Sequence, residues 1–143
     1  MTVSACPFCA IAAGDAPAAI LADEGDVLAI MDLRQAAAGH VLVMPRRHAR
    51  DLYELSPDEA ASVMRMAQRV GCAIRDALRP DGLNLWQSNG EAAGQEVFHF
   101  HLHVHPRSIG DGLLDVYPAG APRAASPDRL ESIAAVLRRH LRG

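Results

Sequence analysis

The sequence contains no lysine; all 14 of its cationic side chains are arginine. A P-loop needs a lysine at the phosphates, and covalent adenylyl transfer or Schiff-base formation through a side-chain amine needs one as nucleophile, so these routes are closed. Phosphate chemistry in this chain must use another group. Long hydrophobic runs are also missing, and with no stretch approaching a membrane span, no membrane partner is expected. The formal net charge of -3 supplies no general attraction for a polyanion and no local basic patch offsets it, so no nucleic-acid partner is expected. Met1-Thr2-Val3-Ser4-Ala5-Cys6 has neither the basic region nor the apolar stretch of a secretory signal, which predicts a cytoplasmic location and reduced cysteines.

The 143 residues are half apolar and 22% charged, a globular profile with enough chain to enclose a core, and 1–143 is read as a single domain. Gly14-Asp15-Ala16-Pro17 reads as a turn after a short first segment. Apolar runs around Ile20-Leu21 and Val27-Leu28-Ala29-Ile30 flank Asp23-Glu24-Gly25-Asp26, a hairpin signal. His40 to Met44 is a third strand, stopped by Pro45. Ser56-Pro57-Asp58-Glu59 has capping-box spacing, and Ala60, Val63, Met64, Ala67, Val70, Ile74 and Leu78 follow at helical period, with Cys72 read as a small core residue. Strands are expected at Leu83 to Gln87 and Val97 to His105, an irregular loop over 110–125 and a C-terminal helix over 126–142, with Leu130, Ile133, Ala134, Leu137 and Leu141 on one face. The fold class is α+β: an antiparallel sheet of about five strands with one long helix and a C-terminal helix.

The chemistry concentrates in His99-Phe100-His101-Leu102-His103-Val104-His105. On a strand the four histidines share one face, about 6.6 to 6.8 Å apart, close enough to engage one phosphate group. Imidazole is a nucleophile with a pKa near neutrality, and a protonated neighbour would offset phosphate charge. The same row also suits a transition metal, or a plain exposed strand face. Cys6-Pro7-Phe8-Cys9 is a C-x-x-C pair in a presumed reducing compartment, suited to zinc or redox chemistry; zinc would need two more ligands, from His40, His48 or the histidine strand.

The run from Asn89 to Val104, with its alternating histidines, resembles the signature of the histidine triad (HIT) family, as do Asp32-Leu33 and Gly39-His40-Val41-Leu42-Val43-Met44-Pro45-Arg46-Arg47-His48 upstream. The resemblance spans Cys6 to Arg107 and is closest to the bacterial Hint-like branch with an N-terminal C-x-x-C. It implies that His101 attacks the α-phosphorus of a nucleoside phosphate derivative, forming a nucleotidyl-histidine that water releases as the monophosphate. It further implies that His103 contacts the phosphate and handles protons, that His40 supports the row, and that Asn89 and Gln95 donate to phosphate. Asp32 would accept from the ribose hydroxyls, with Ile30 and Leu33 lining the base pocket. By the same resemblance Cys6, Cys9, His48 and His99 hold a structural zinc, and the molecule is a homodimer.

Three positions depart from the pattern. Glu96 stands where the animal Hint-type branch has serine, Gln35 where members often have proline, and His105 is an extra histidine read as solvent-facing. The expected function is hydrolysis at the α-phosphorus of a purine nucleoside phosphoramidate or dinucleoside polyphosphate. Nucleotidyl transfer or phosphorolysis, and non-enzymatic nucleotide binding, are the alternatives.

Overall fold

A computed structural model describes residues 6–113 and 116–141. The chain forms two compact units, Met1–Asp111 and Gly112–Gly143. In the first, helix α1 (Pro7–Ala13) precedes strands β1 (Ile20–Glu24), β2 (Val27–Met31) and β3 (Val41–Pro45), helix α2 (Pro57–Leu78), and strands β4 (Gly82–Trp86) and β5 (Leu102–Arg107). The strands form one antiparallel sheet in the order β1-β2-β3-β5-β4, the α+β architecture expected. In the second unit, helix α3 (Pro127–His140) starts at the Ser126 cap, and Leu130, Ile133, Leu137 and Leu141 are exposed. No described residue from 110 to 125 lies in a helix or strand. Among the described residues no helix is long and apolar enough to cross a membrane.

The sheet is apolar on both faces at its centre, so β2 and β3 read as continuous hydrophobic runs instead of alternating ones. Val27, Ala29, Val41, Val43 and Val104 pack against Val63, Met66, Ala67, Val70 and Ile74 of α2. On the opposite face Leu28, Ile30, Leu42 and Met44 are covered by Phe8, Ile11 and Ala12 of α1. Helix α2 begins with the full capping box, Ser56 accepting from the Glu59 backbone N–H and Glu59 from that of Ser56. Its buried stripe also takes in Gly71, where a Cβ would lie 3.0 Å from Leu83 of β4. Met64 and Leu78 are exposed instead of buried, because the stripe centres on Val63, Met66, Ala67 and Val70 and leaves them at its margins. Cys72 is exposed for the same reason, one position past Gly71.

The largest difference from expectation is the start of β5. Residues 97–101 lie outside the ladder, so His99 and His101 are not strand residues, and the four histidines do not form one flat row. Pro45 ends β3 and has no N–H to extend a ladder, while its carbonyl is taken by the His99 ring at 2.8 Å. The Phe100 N–H turns to the Ala49 carbonyl, at 2.6 Å. The chain therefore passes across the end of the sheet before joining it.

Arg47 grips Glu59 through two hydrogen bonds of 2.7 Å and, with the Ser56 backbone, holds the Glu59 carboxyl down at about 2 against an ordinary 4.5. A depressed carboxyl contributes stability that is complete above its ordinary value and lost as pH falls through the folded one. Glu59→Gln should lower unfolding free energy by about 1 kcal/mol at neutral pH. In denaturant titrations the difference from the native chain should shrink between pH 5 and pH 2.

Candidate functional site

On the face opposite α2, the strand register sets Ile30 beside Leu42, Leu42 beside His103 and His103 beside Trp86. His105, two residues along β5, shares that face and pairs with Asn84. His40, one residue before β3, falls on the same side as Leu42. Its turn depends on Gly39, whose φ of +100° excludes ordinary side chains and where a Cβ would lie 2.5 Å from Leu78 at the end of α2. The result is a nest of rings. Trp86 stacks on His103 at 4.2 Å and 7°, and His40 lies 5.1 Å from His103 and 4.5 Å from His105. His101 stands 5.0 Å from His103, with the edge of Phe8 against it at 5.1 Å.

Hydrogen bonds to carbonyls fix the tautomers, since a carbonyl only accepts. His101 Nδ1 donates to the His99 carbonyl at 2.7 Å, which leaves the Nε2 lone pair available. His40 Nδ1 donates to the Arg34 carbonyl at 3.2 Å, with Asp32 Oδ2 3.5 Å away. His40 Nε2 must then accept from His103 Nδ1, at 2.9 Å, leaving Nε2 of His103 unprotonated as well. Asp32, His40 and His103 lie close enough together to suggest a cation site, but His40 offers opposite edges to its two neighbours, which makes a hydrogen-bonded chain and not a cage.

Burial lowers the pKa of His40 and His101, and burial reinforced by His101, His40 and His105 pushes His103 down to about 3. Burial thus favours the neutral form of His40, His101 and His103, against the protonated neighbour expected from free imidazole. His105 is 3% exposed and not solvent-facing; its Nδ1 donates to the Pro106 carbonyl at 2.8 Å.

Four other residues converge at the junction of α1 with the sheet. Cys6 Sγ lies 3.4 Å and Cys9 Sγ 3.5 Å from His99 Nδ1, and Cys9 Sγ lies 3.3 Å from His48 Nδ1. All four ligand atoms fall within 4.8 Å of one another. His99 is fully buried, and its Nε2 donates to Pro45, so Nδ1 presents a lone pair to the thiols. Burial, and then Cys6 alongside, pushes the Cys9 thiol up to about 11. Two thiols and two imidazoles, one of them held by a backbone carbonyl, form the donor set of a closed tetrahedral metal site.

The remaining sequence candidates divide. Asp32 accepts from the Arg34 N–H at 2.7 Å and stays beside His40. Ile30, 3% exposed, belongs to the packed face beneath α1, whereas Leu33 is 98% exposed on the following loop. The Asn89 carbonyl oxygen accepts from Leu52 N–H at 2.8 Å. Gln95 is buried and fully occupied by backbone: its amide nitrogen donates to Arg50 and Val97, and its oxygen accepts from Gly90. Both amide hydrogens are thus spent on backbone carbonyls that hold the loop. Sequence reasoning missed the placement of Trp86, visible only through strand register, and the work of Gln35. The Gln35 amide nitrogen donates to the Asp32 and His40 carbonyls at 2.7 Å each, and its oxygen accepts from Gly39 at 2.8 Å, clamping the 32–40 loop.

A family model for the HIT domain matches residues 13–109. The protein hit of Bacillus subtilis is 39% identical over 95% of this chain and 94% of its own length. Adenosine 5'-monophosphoramidase hnt1 of Schizosaccharomyces pombe is 36% identical over 90% of this chain and 92% of its own. Adenylylsulfatase HINT3 of Arabidopsis thaliana is 36% identical over 76% of this chain and 55% of its own. Among solved structures, a HIT family protein from Bacillus anthracis superposes with a TM-score of 0.86 at 32% identity, covering 99% of this chain and 100% of that one. A Zn-bound histidine triad protein from Mycobacterium smegmatis does so with 0.73 at 36%, covering 98% and 100%.

If Gln95 is a loop anchor, Gln95→Ala should cost about 1–3 kcal/mol in chemical denaturation, because three part-buried backbone groups lose their partner. Retained stability in that variant would return Gln95 to the ligand.

Proposed function

The chain belongs to the HIT family, and from that premise we propose that it is a nucleotide hydrolase cleaving at the α-phosphorus of a purine nucleoside phosphoramidate or dinucleoside polyphosphate through a nucleotidyl-histidine intermediate. The observation that carries this reading is the His101 Nδ1 bond to the His99 carbonyl, which aims the Nε2 lone pair out of a rigid, desolvated nest. His101 Nε2 attacks phosphorus as the bond to the leaving group breaks. Water then displaces His101 and releases the nucleoside monophosphate. His103 Nε2, unprotonated in the free protein, takes up a proton as the phosphate brings in negative charge and returns it to the leaving group. His40 receives the other edge of His103, and Asp32 beside it suits the ribose hydroxyls. The names of the yeast and plant relatives support the reaction class.

Cys6, Cys9, His48 and His99 would hold a structural zinc, a reading supported by their separations and by the Zn-bound relative. Four protein ligands leave no open position, so such a metal would tie α1 to the sheet and take no part in the phosphorus chemistry. A homodimer is supported by β4, an unpaired sheet edge whose Leu83 and Leu85 are partly exposed.

His101→Ala should reduce turnover of adenosine 5'-phosphoramidate by on the order of 10³-fold or more while retaining AMP binding. Intact-mass analysis of quenched native protein should show a nucleotidyl adduct that the variant lacks; full activity in the variant would refute the mechanism. Elemental analysis of protein purified without chelator should find about one zinc per chain. Cys9→Ser should lose that zinc and melt at lower temperature, whereas a zinc-free, equally stable native preparation would remove the metal from the reading.

A further inference from the structure

One charged pair lies between the two segments that carry the site and is not used by the mechanism above. Arg34 follows Asp32 on the 32–40 loop, and its carbonyl receives His40 Nδ1. Its guanidinium reaches across to Glu96 at 3.0 Å, on the segment that leads into His99 and His101. Both backbones are pinned: Gln35 clamps the loop bearing Arg34, and Gln95, immediately before Glu96, is locked to Gly90, Arg50 and Val97. The two side chains are nevertheless 82% and 73% exposed, so they project from rigid bases into solvent and can exchange partners. Burial lowers the His101 pKa, and the Asp32 and Glu96 carboxylates oppose that lowering. Asp32 is committed to Arg34 N–H and His40, which leaves Glu96 as the mobile charge.

Resting on the hydrolase reading, we propose that Glu96, paired with Arg34, selects the leaving group: it favours substrates that depart as an amine over those that depart as a phosphate or sulfate anion. The bond from His101 Nε2 to phosphorus forms as the bond from phosphorus to the leaving atom breaks, and the electron pair goes with that atom. An amine leaves with a proton supplied by His103 and carries no negative charge. A phosphate or sulfate leaves as an anion, which the Glu96 carboxylate on the segment leading into His101 opposes. Like charges penalise the anion, and Arg34 cannot compensate while it is held by Glu96. Serine at this position, as in the animal Hint-type branch, would impose no such charge.

The test compares the native chain, Glu96→Gln and Arg34→Gln on adenosine 5'-phosphoramidate and adenylyl sulfate, together with Kd values for AMP and ADP, whose β-phosphate stands in for an anionic leaving group. Glu96→Gln should shift the kcat/KM ratio about ten-fold or more toward adenylyl sulfate and tighten ADP relative to AMP by several-fold. Arg34→Gln should move both ratios the other way. A native enzyme that turns over substrate while Glu96→Gln leaves its ratio within two-fold overturns the selector and leaves the hydrolase reading standing. No turnover of either substrate by the native chain defeats the hydrolase reading. In that case the ADP to AMP binding ratio decides the selector: a shift in Glu96→Gln upholds it as a binding device, and an unmoved ratio overturns it.

Discussion

His99 is the residue through which the parts of this molecule are held in register. Its ring is fully buried, with one nitrogen facing the Cys6 and Cys9 sulfurs and the other donating to Pro45 at the end of β3. Its backbone carbonyl accepts from His101. One residue thus fastens α1 to the sheet, ends the pairing between β3 and the 97–101 segment, and sets the tautomer of the adjacent imidazole. A buried ring satisfied on both edges has one orientation available, and His101 inherits that precision through a single peptide carbonyl.

The lowered pKa values of His40, His101 and His103 follow from the same packing. Burial beneath Trp86 excludes water from His103, and the neighbouring rings would repel a charge on it. Neutral imidazoles in such a setting are lone pairs already desolvated. The ring stack also explains why His105 is inside: it packs against His40 at 4.5 Å and Trp86 at 5.3 Å.

Much of this was legible in the sequence. The capping box, the hairpin glycine and the helical stripe produce α2 and the first strands through local physics, and the alternating histidines with their upstream landmarks point to the family. The Cys6, Cys9, His48 and His99 side chains also converge. What periodicity could not show is where a strand stops being a strand. Alternation at His99 and His101 looks like pleating, yet Pro45 and the Ala49 carbonyl remove that segment from the ladder. The burial of His105 and the backbone bonds of Gln95 were hidden for a related reason: both depend on long-range neighbours, Trp86 and His40 in one case and the Arg50 carbonyl in the other. Gln35 could not be read as a clamp until the loop's carbonyls were seen to converge on it.

The cysteine and histidine quartet also has a meaning in time. Cys6 and His99 are separated by 93 positions, so the junction that seats α1 cannot close until nearly all of the first unit has been made. Closing so long a loop is entropically expensive for an unfolded chain and cheap once the sheet has brought its ends together. The quartet therefore works as a completion mark: during synthesis helix α1 waits for its anchor, and the imidazole that donates to that anchor's carbonyl is aimed only when the sheet is whole.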